Sequence, residues 1–178
     1  GALELANIHF TLTVNDDFST DRWSMFSLEQ PESVQMEGVA ITVRNQNRRR
    51  QLAVFAINSA NQFGDMPIIG STPAKPLQIT MTRCIVRGAC DLIAVRDQAP
   101  VHVSLDGTLL ALDGSGTVIR VTGGMYEPDD GAEIDVSFNH TTALLGGGLV
   151  TMHSDTVPHK LLPVRITATN NIFSNFER

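Results

Sequence analysis

The sequence predicts an all-β fold, a parallel β-solenoid of about six coils, and three observations carry that prediction. Six segments of one pattern superimpose without a gap, a second strand-like block follows each of the first five, and the 3.6-residue periodicity of an amphipathic helix is absent. The composition agrees. Aromatic residues make up only 6% of the chain while Val, Ile, Leu and Thr recur throughout, so the core is assembled from medium-sized, often β-branched side chains that favour strands.

The six segments are Leu3 to Phe10, Val34 to Ile41, Ile79 to Val86, Val103 to Leu110, Val136 to Ala143 and Ile166 to Phe173. Each runs apolar, polar, apolar, then two turn-like residues, then a short apolar pair or triplet. Their third residues, Leu5, Met36, Met81, Leu105, Phe138 and Ala168, are spaced by 31, 45, 24, 33 and 30 residues, and the shortest interval sets the length of one coil. The second blocks are Trp23 to Leu28, Leu52 to Ile57, Leu92 to Val95, Val118 to Val121 and Leu149 to Met152; they alternate or run continuously apolar, as half-buried strands do. The sixth repeat stops before such a block.

The pattern Ile166-x-Ala-x-Asn-Asn-Ile-Phe-Ser-Asn175 resembles the repeat of right-handed parallel β-helix proteins, the pectate-lyase-like superfamily, whose paired asparagines mark a turn between two strands of a coil. The other coils place Asn7, Gly38, Gly107, or Asn139 with His140 at that bend, and Asn and Gly share the capacity for positive φ. The resemblance covers nearly the whole chain and implies a single-stranded, right-handed helix. It also implies catalytic groups on the outer strand face. A weaker resemblance is to β-helical segments of large bacterial multidomain proteins, some with Ser/Thr kinase domains. No Gly-rich loop, His-Arg-Asp or Asp-Phe-Gly occurs here.

Residues 1–178 are expected to form one β-helix domain, and without an amphipathic capping helix at either end the chain is expected to be a piece of a longer protein. Its net charge of −6 gives no reason to seek nucleic acid or an anionic membrane. No apolar run is long enough to span a bilayer, and Gly-Ala-Leu-Glu at the start lacks the character of a signal peptide. Two cysteines, Cys84 and Cys90, cannot make a disulfide framework and are expected to be small buried side chains. No cofactor is expected.

Stacking in register puts three polar rows on the outer face of the first strands. One contains Ser33, Gln78, His102, Asp135 and Arg165; the next Glu4, Gln35, Thr80, Ser104, Ser137 and Thr167; the third Glu37, Thr82, Asp106, Asn139 and Thr169. His102, Asp135 and Arg165 form a candidate acid, base and charge-stabilising set. Asp106 and Asp135, one coil and one row apart in this reading, form a candidate carboxylate pair for glycoside hydrolysis. The ligand-binding candidates are His102, Asp135, Arg165, Tyr126 and His153. No metal site is expected: the carboxylates after Tyr126 read as a solvated turn, and His153, Asp155 and His159 are irregularly spaced for zinc.

Arg44 to Arg50 is the basic cluster, read as a solvated loop or a contact for an acidic partner. Of the connections after the second blocks, those from Asn58 to Pro76, Thr122 to Glu133 and His153 to Pro163 are long and are expected along one edge. The longest holds the apolar segment Phe63 to Gly70, expected to pack locally. The reading these features favour is a non-catalytic binding or structural module, with a carbohydrate or protein partner or a second copy joined through coil ends or long loops. The alternative is a polysaccharide lyase or glycoside hydrolase.

Overall fold

The computed structural model describes residues 1–15, 17, 20, 22–29, 33–46, 51–58, 75–96, 98–124, 128–153 and 160–175. Strands succeed one another in threes. The first coil is β1 (Ala2–Ala6), β2 (His9–Val14) and β3 (Arg22–Glu29); the second β4 (Ser33–Glu37), β5 (Ala40–Asn45) and β6 (Gln51–Asn58); the third β7 (Leu77–Thr82), β8 (Ile85–Gly88) and β9 (Asp91–Val95). The fourth is β10 (Val101–Asp106), β11 (Leu109–Leu112) and β12 (Thr117–Thr122), and the fifth β13 (Ile134–Asn139), β14 (Thr142–Leu145) and β15 (Gly148–His153). A last pair, β16 (Val164–Thr169) and β17 (Ile172–Asn175), opens the sixth.

Every strand pairs in parallel with its counterpart one coil away, which generates three sheets. Sheet A is β1-β4-β7-β10-β13-β16, sheet B is β2-β5-β8-β11-β14-β17, and sheet C is β3-β6-β9-β12-β15. This is a parallel β-helix, the fold the repeat predicts. Leu5, Met36, Met81, Leu105, Phe138 and Ala168 are successive Cα partners across sheet A, so the gap-free superposition of the sequence is the register of the sheet.

Alternation sends every second residue of sheet A inward, where Val34, Met36, Ile79, Met81, Val103 and Leu105 are buried. In sheet B the inward column is Phe10, Ile41, Val86, Leu110, Ala143 and Phe173. Phe26 of sheet C meets Phe10 edge-on at 5.9 Å and stacks on Phe55 at 5.5 Å, joining sheets B and C through the core. Complete burial of one such side chain stabilises by about 1.5–3 kcal/mol.

The corner between sheets A and B is the same in all six coils. Asn7, Gly38, Arg83, Gly107, His140 and Asn170 each have φ between 48° and 62°. The amide of each of the first five bonds a carbonyl in the next coil: Asn7 to Glu37 at 2.9 Å, Gly38 to Thr82 at 2.9 Å, Arg83 to Asp106 at 2.9 Å, Gly107 to Asn139 at 3.0 Å and His140 to Thr169 at 3.1 Å. In the fifth coil the left-handed residue is His140 and not the preceding Asn139. In the third it is Arg83, whose residue type gives no such signal.

One position further on, side chains turn inward and donate to the carbonyl of the central sheet A residue one coil back. Cys84 Sγ reaches Met36 O at 3.5 Å, Thr108 Oγ1 reaches Met81 O at 3.2 Å, Thr141 Oγ1 reaches Leu105 O at 3.2 Å, and Asn171 Nδ2 reaches Phe138 O at 3.1 Å. Cys84 therefore serves the scaffold. Burial pushes its thiol pKa up, and pushes that of Cys90 up to about 12 with help from the Asp91 charge, so neither is a thiolate nucleophile at neutral pH.

The corner between sheets B and C nests one coil tightly against the next. Gly88, at φ 118°, leaves only 1.9 Å between an added Cβ and Val43 O, and Gly146 leaves 2.1 Å to Gly114 O. All five connections that follow sheet C lead to sheet A, so the insertions they carry fall on one edge. The apolar segment Phe63 to Gly70 and most of the basic run after Arg44 lie outside the described residues. Among the described residues β16 and β17 each pair with one neighbouring strand, and Ile166, Ile172 and Phe173 are 39%, 66% and 39% exposed.

Gly88→Ala is expected to cost about 3 kcal/mol or more, because the added carbon meets backbone that cannot yield. Gly114→Asn, at φ 66° with open space around it, is expected to change stability by less than about 1 kcal/mol. Urea unfolding followed by circular dichroism distinguishes the two.

Candidate functional site

The outer face of sheet A presents the three polar rows in the predicted order. Ala2, Ser33, Gln78, His102, Asp135 and Arg165 are successive partners on β1, β4, β7, β10, β13 and β16, so the structure brings His102, Asp135 and Arg165 together on adjacent strands. Their contacts are local. His102 Nδ1 lies 3.2 Å from Gln78 Nε2, and Arg165 Nη2 donates to Glu133 Oε2 at 2.7 Å. Asp135 has no hydrogen-bond or ion-pair partner among the described residues.

The third row holds Asp106, which accepts from Asn139 Nδ2 at 2.8 Å and lies 3.7 Å from His140 Nδ1. Asp106 pairs with Asn139 and His102 with Asp135, so Asp106 and Asp135 stand two rows apart on this face, not one. Strand rise and spacing put their Cα atoms about 14 Å apart, against the roughly 5–9.5 Å between carboxyl groups that acid and nucleophile or base need across a glycosidic bond. The expected carboxylate pair is therefore not assembled. The reason is that four residues along a strand span about 13 Å, whereas one coil spans only about 4.8 Å.

His153 is removed from the His102 row. It closes β15 in sheet C, opposite Thr122, and is exposed. Tyr126 lies outside the described residues, as do Asp155 and His159.

Residues that the sequence reading passed over make a second site. Asp91, at the start of β9, is buried in the corner leading into sheet C, and Arg120 of β12 folds back onto it. Arg120 Nε donates to Asp91 Oδ2 at 2.5 Å and Nη2 to Oδ1 at 3.0 Å, while the amide and hydroxyl of Thr117 donate to Oδ1 at 2.9 and 3.1 Å. The pair is 4% and 15% exposed, so water screens it poorly. A sequence signal existed: Arg120 interrupts the apolar run Val118-Ile-Arg-Val121, and Asp91 immediately precedes Leu92-Ile-Ala-Val95.

Two concavities among the described residues flank this pair. One is lined by Arg22, Gln51, Ala94, Arg96 and Thr122 together with the pair, and the other by Asn45, Ala89, Cys90 and the turn Asp113 to Gly116. In the second, Asn45 Nδ2 donates to Ala89 O at 3.4 Å while its buried Oδ1 has no partner among the described residues. Neither concavity includes His102, Asp135 or Arg165. No group of His, Cys, Asp and Glu among the described residues is arranged to hold a metal ion.

Compared with protein-family models, with curated proteins and with solved structures, the chain has no match.

Replacing Asp91 by Leu is expected to destabilise by about 3–5 kcal/mol, because Arg120 is left charged and half-enclosed. The double variant Asp91→Leu with Arg120→Met is expected to recover most of that loss. Denaturant titration of the three chains measures the coupling.

Proposed function

We propose that the protein is a non-catalytic binding or structural module of the pectate-lyase-like β-helix type, offering the outer face of sheet A and its neighbouring loop edge to a carbohydrate or protein partner. One observation carries the reading: from the second coil to the sixth, polar side chains repeat in register across that face in three rows. Such a face can form many equivalent, individually modest hydrogen bonds with an extended partner, and the multiplicity supplies the affinity.

The alternative, a polysaccharide lyase or glycoside hydrolase, draws support from the alignment of His102, Asp135 and Arg165 on successive strands. Against it stand the separation of Asp106 from Asp135 and the engagement of Arg165 by Glu133. Thermal unfolding with a panel of acidic and neutral polysaccharides tests both readings. A rise in melting temperature with one glycan, lost in His102→Ala or Arg165→Ala and unaccompanied by chain cleavage, is the expected result. Cleavage of the glycan would establish the enzyme reading, and no shift with any glycan would leave a protein partner as the occupant of the face.

The exposure of Ile166, Ile172 and Phe173 also supports association with a second copy through coil ends. Light scattering over a concentration series is expected to show mass rising with concentration, and Ile172→Lys is expected to abolish the rise. A constant monomer mass would overturn this.

A further inference from the structure

The strands of sheet B contain no Asp, Glu or Lys, in a chain with 19 Asp and Glu. Inward and outward residues alternate cleanly along them, so the register gives the outer side directly. One outward row runs Ala40, Ile85, Leu109, Thr142 and Ile172, and Ile85, Leu109 and Ile172 are exposed aliphatics. The next row runs Thr42, Arg87, Ala111 and Leu144. Arg44, first of the basic cluster, follows Thr42 by two residues on β5 and is exposed.

Arg44 and Arg87 carry charge that no described neighbour answers. Arg87 Nε donates to the neutral Thr42 Oγ1 at 3.0 Å, and neither arginine has an ion-pair partner among the described residues. The acids that border the corner with sheet A are engaged elsewhere, Glu37 by Arg83 and Asp106 by Asn139 and His140. Asp113, one residue beyond β11, accepts from the Gly114 amide at 2.6 Å and has further contacts of its own. Strand rise and spacing set the Cα atoms of Arg44 and Arg87 about 8 Å apart, so two neighbouring carboxylates of a partner can pair with both.

We propose that the outer face of sheet B docks an acidic protein segment bearing an aliphatic stripe, with Ile85 and Leu109 receiving the stripe and Arg44 and Arg87 its carboxylates. Charge complementarity fixes the acid: the strands of this face present arginine and no carboxylate, although the chain as a whole carries −6. Composition fixes the protein: aliphatic residues with arginine, and an absence of Lys, Asp and Glu, are what the centres of protein interfaces select. A polybasic attachment to anionic lipid takes roughly four to eight basic residues, more than this face offers. Strands β8 and β11 lie inside the sheet, paired on both sides, so docking there orders little backbone. Six strands cover about 400 Å² in projection, short of the ~800 Å² a side of a standard interface, which places the contact in the weak, transient class. The face is separate from that of sheet A and does not rest on the function proposed for it.

The test is an amide NMR titration of the whole chain at constant ionic strength with a synthetic helical peptide whose leucine stripe is flanked by glutamates. Two control peptides replace its leucines by serine or its glutamates by lysine. Saturable shifts are expected at Thr42, Arg87 and Leu109, with affinity reduced about threefold or more in Arg87→Gln and in Leu109→Ser and unchanged in His102→Ala. All three substitutions fall on outward positions, and unchanged circular dichroism confirms that each variant is folded. Equal binding of the serine peptide would show charge alone at work, and equal binding of the lysine peptide apolar contact alone; either overturns the proposal. So would shifts that stay linear, that centre on other residues, that persist in the double variant Arg44→Gln with Arg87→Gln, or that phosphatidylserine vesicles reproduce.

Discussion

The whole molecule hangs on one residue per coil being held in the left-handed conformation where sheet A turns into sheet B. That residue passes its amide to the next coil, and its neighbour on the inside hands a thiol, hydroxyl or amide back to the previous one. The two sets of bonds oppose each other along the axis, so a coil can neither slide nor rotate without losing both. Slippage by one residue would also turn Met81, Leu105 and Phe138 to solvent, a penalty of several kcal/mol by burial alone. Arg83 and His140 tolerate φ near 50° because this lock over-determines them, although either would be disfavoured there in isolation.

Sheet faces acquire distinct characters from that common register. Sheet A is a neutral-to-acidic lattice of small polar groups, with its charges mostly answered nearby: Arg165 by Glu133, and Arg83 at the corner by Glu37. Sheet B leaves Ile85 and Leu109 exposed at 41% and 43%. Sheet C buries an ion pair at its entry. A buried pair of this kind adds little net stability over an apolar substitute, yet it fixes the geometry of the guanidinium.

Much of this was legible in the sequence because a solenoid writes its contacts as a period. Aligning Leu5 with Met36 and its successors gave the sheet A register and the rows containing His102, Asp135 and Arg165. What escaped reading has physical causes. The span from Asp106 to Asp135 depends on strand rise exceeding strand spacing, a metric fact that row counting hides. Arg83 carries no turn signal of its own. The Asp91 to Arg120 pair leaves a visible trace, a charge set into an apolar run, but it lies on the strands of sheet C and outside the polar rows of the first strands.

The corner between sheets A and B keeps the same length in every coil, while the passage from sheet C back to sheet A ranges from a few residues to many. Chain length can therefore change on one side of the molecule without disturbing the other, because loop closure costs only slowly more as a loop grows. Such a scaffold separates inheritance from invention. The locked corner conserves spacing, and the free edge can accept new segments of any composition, each delivered to a fixed address beside the same two faces.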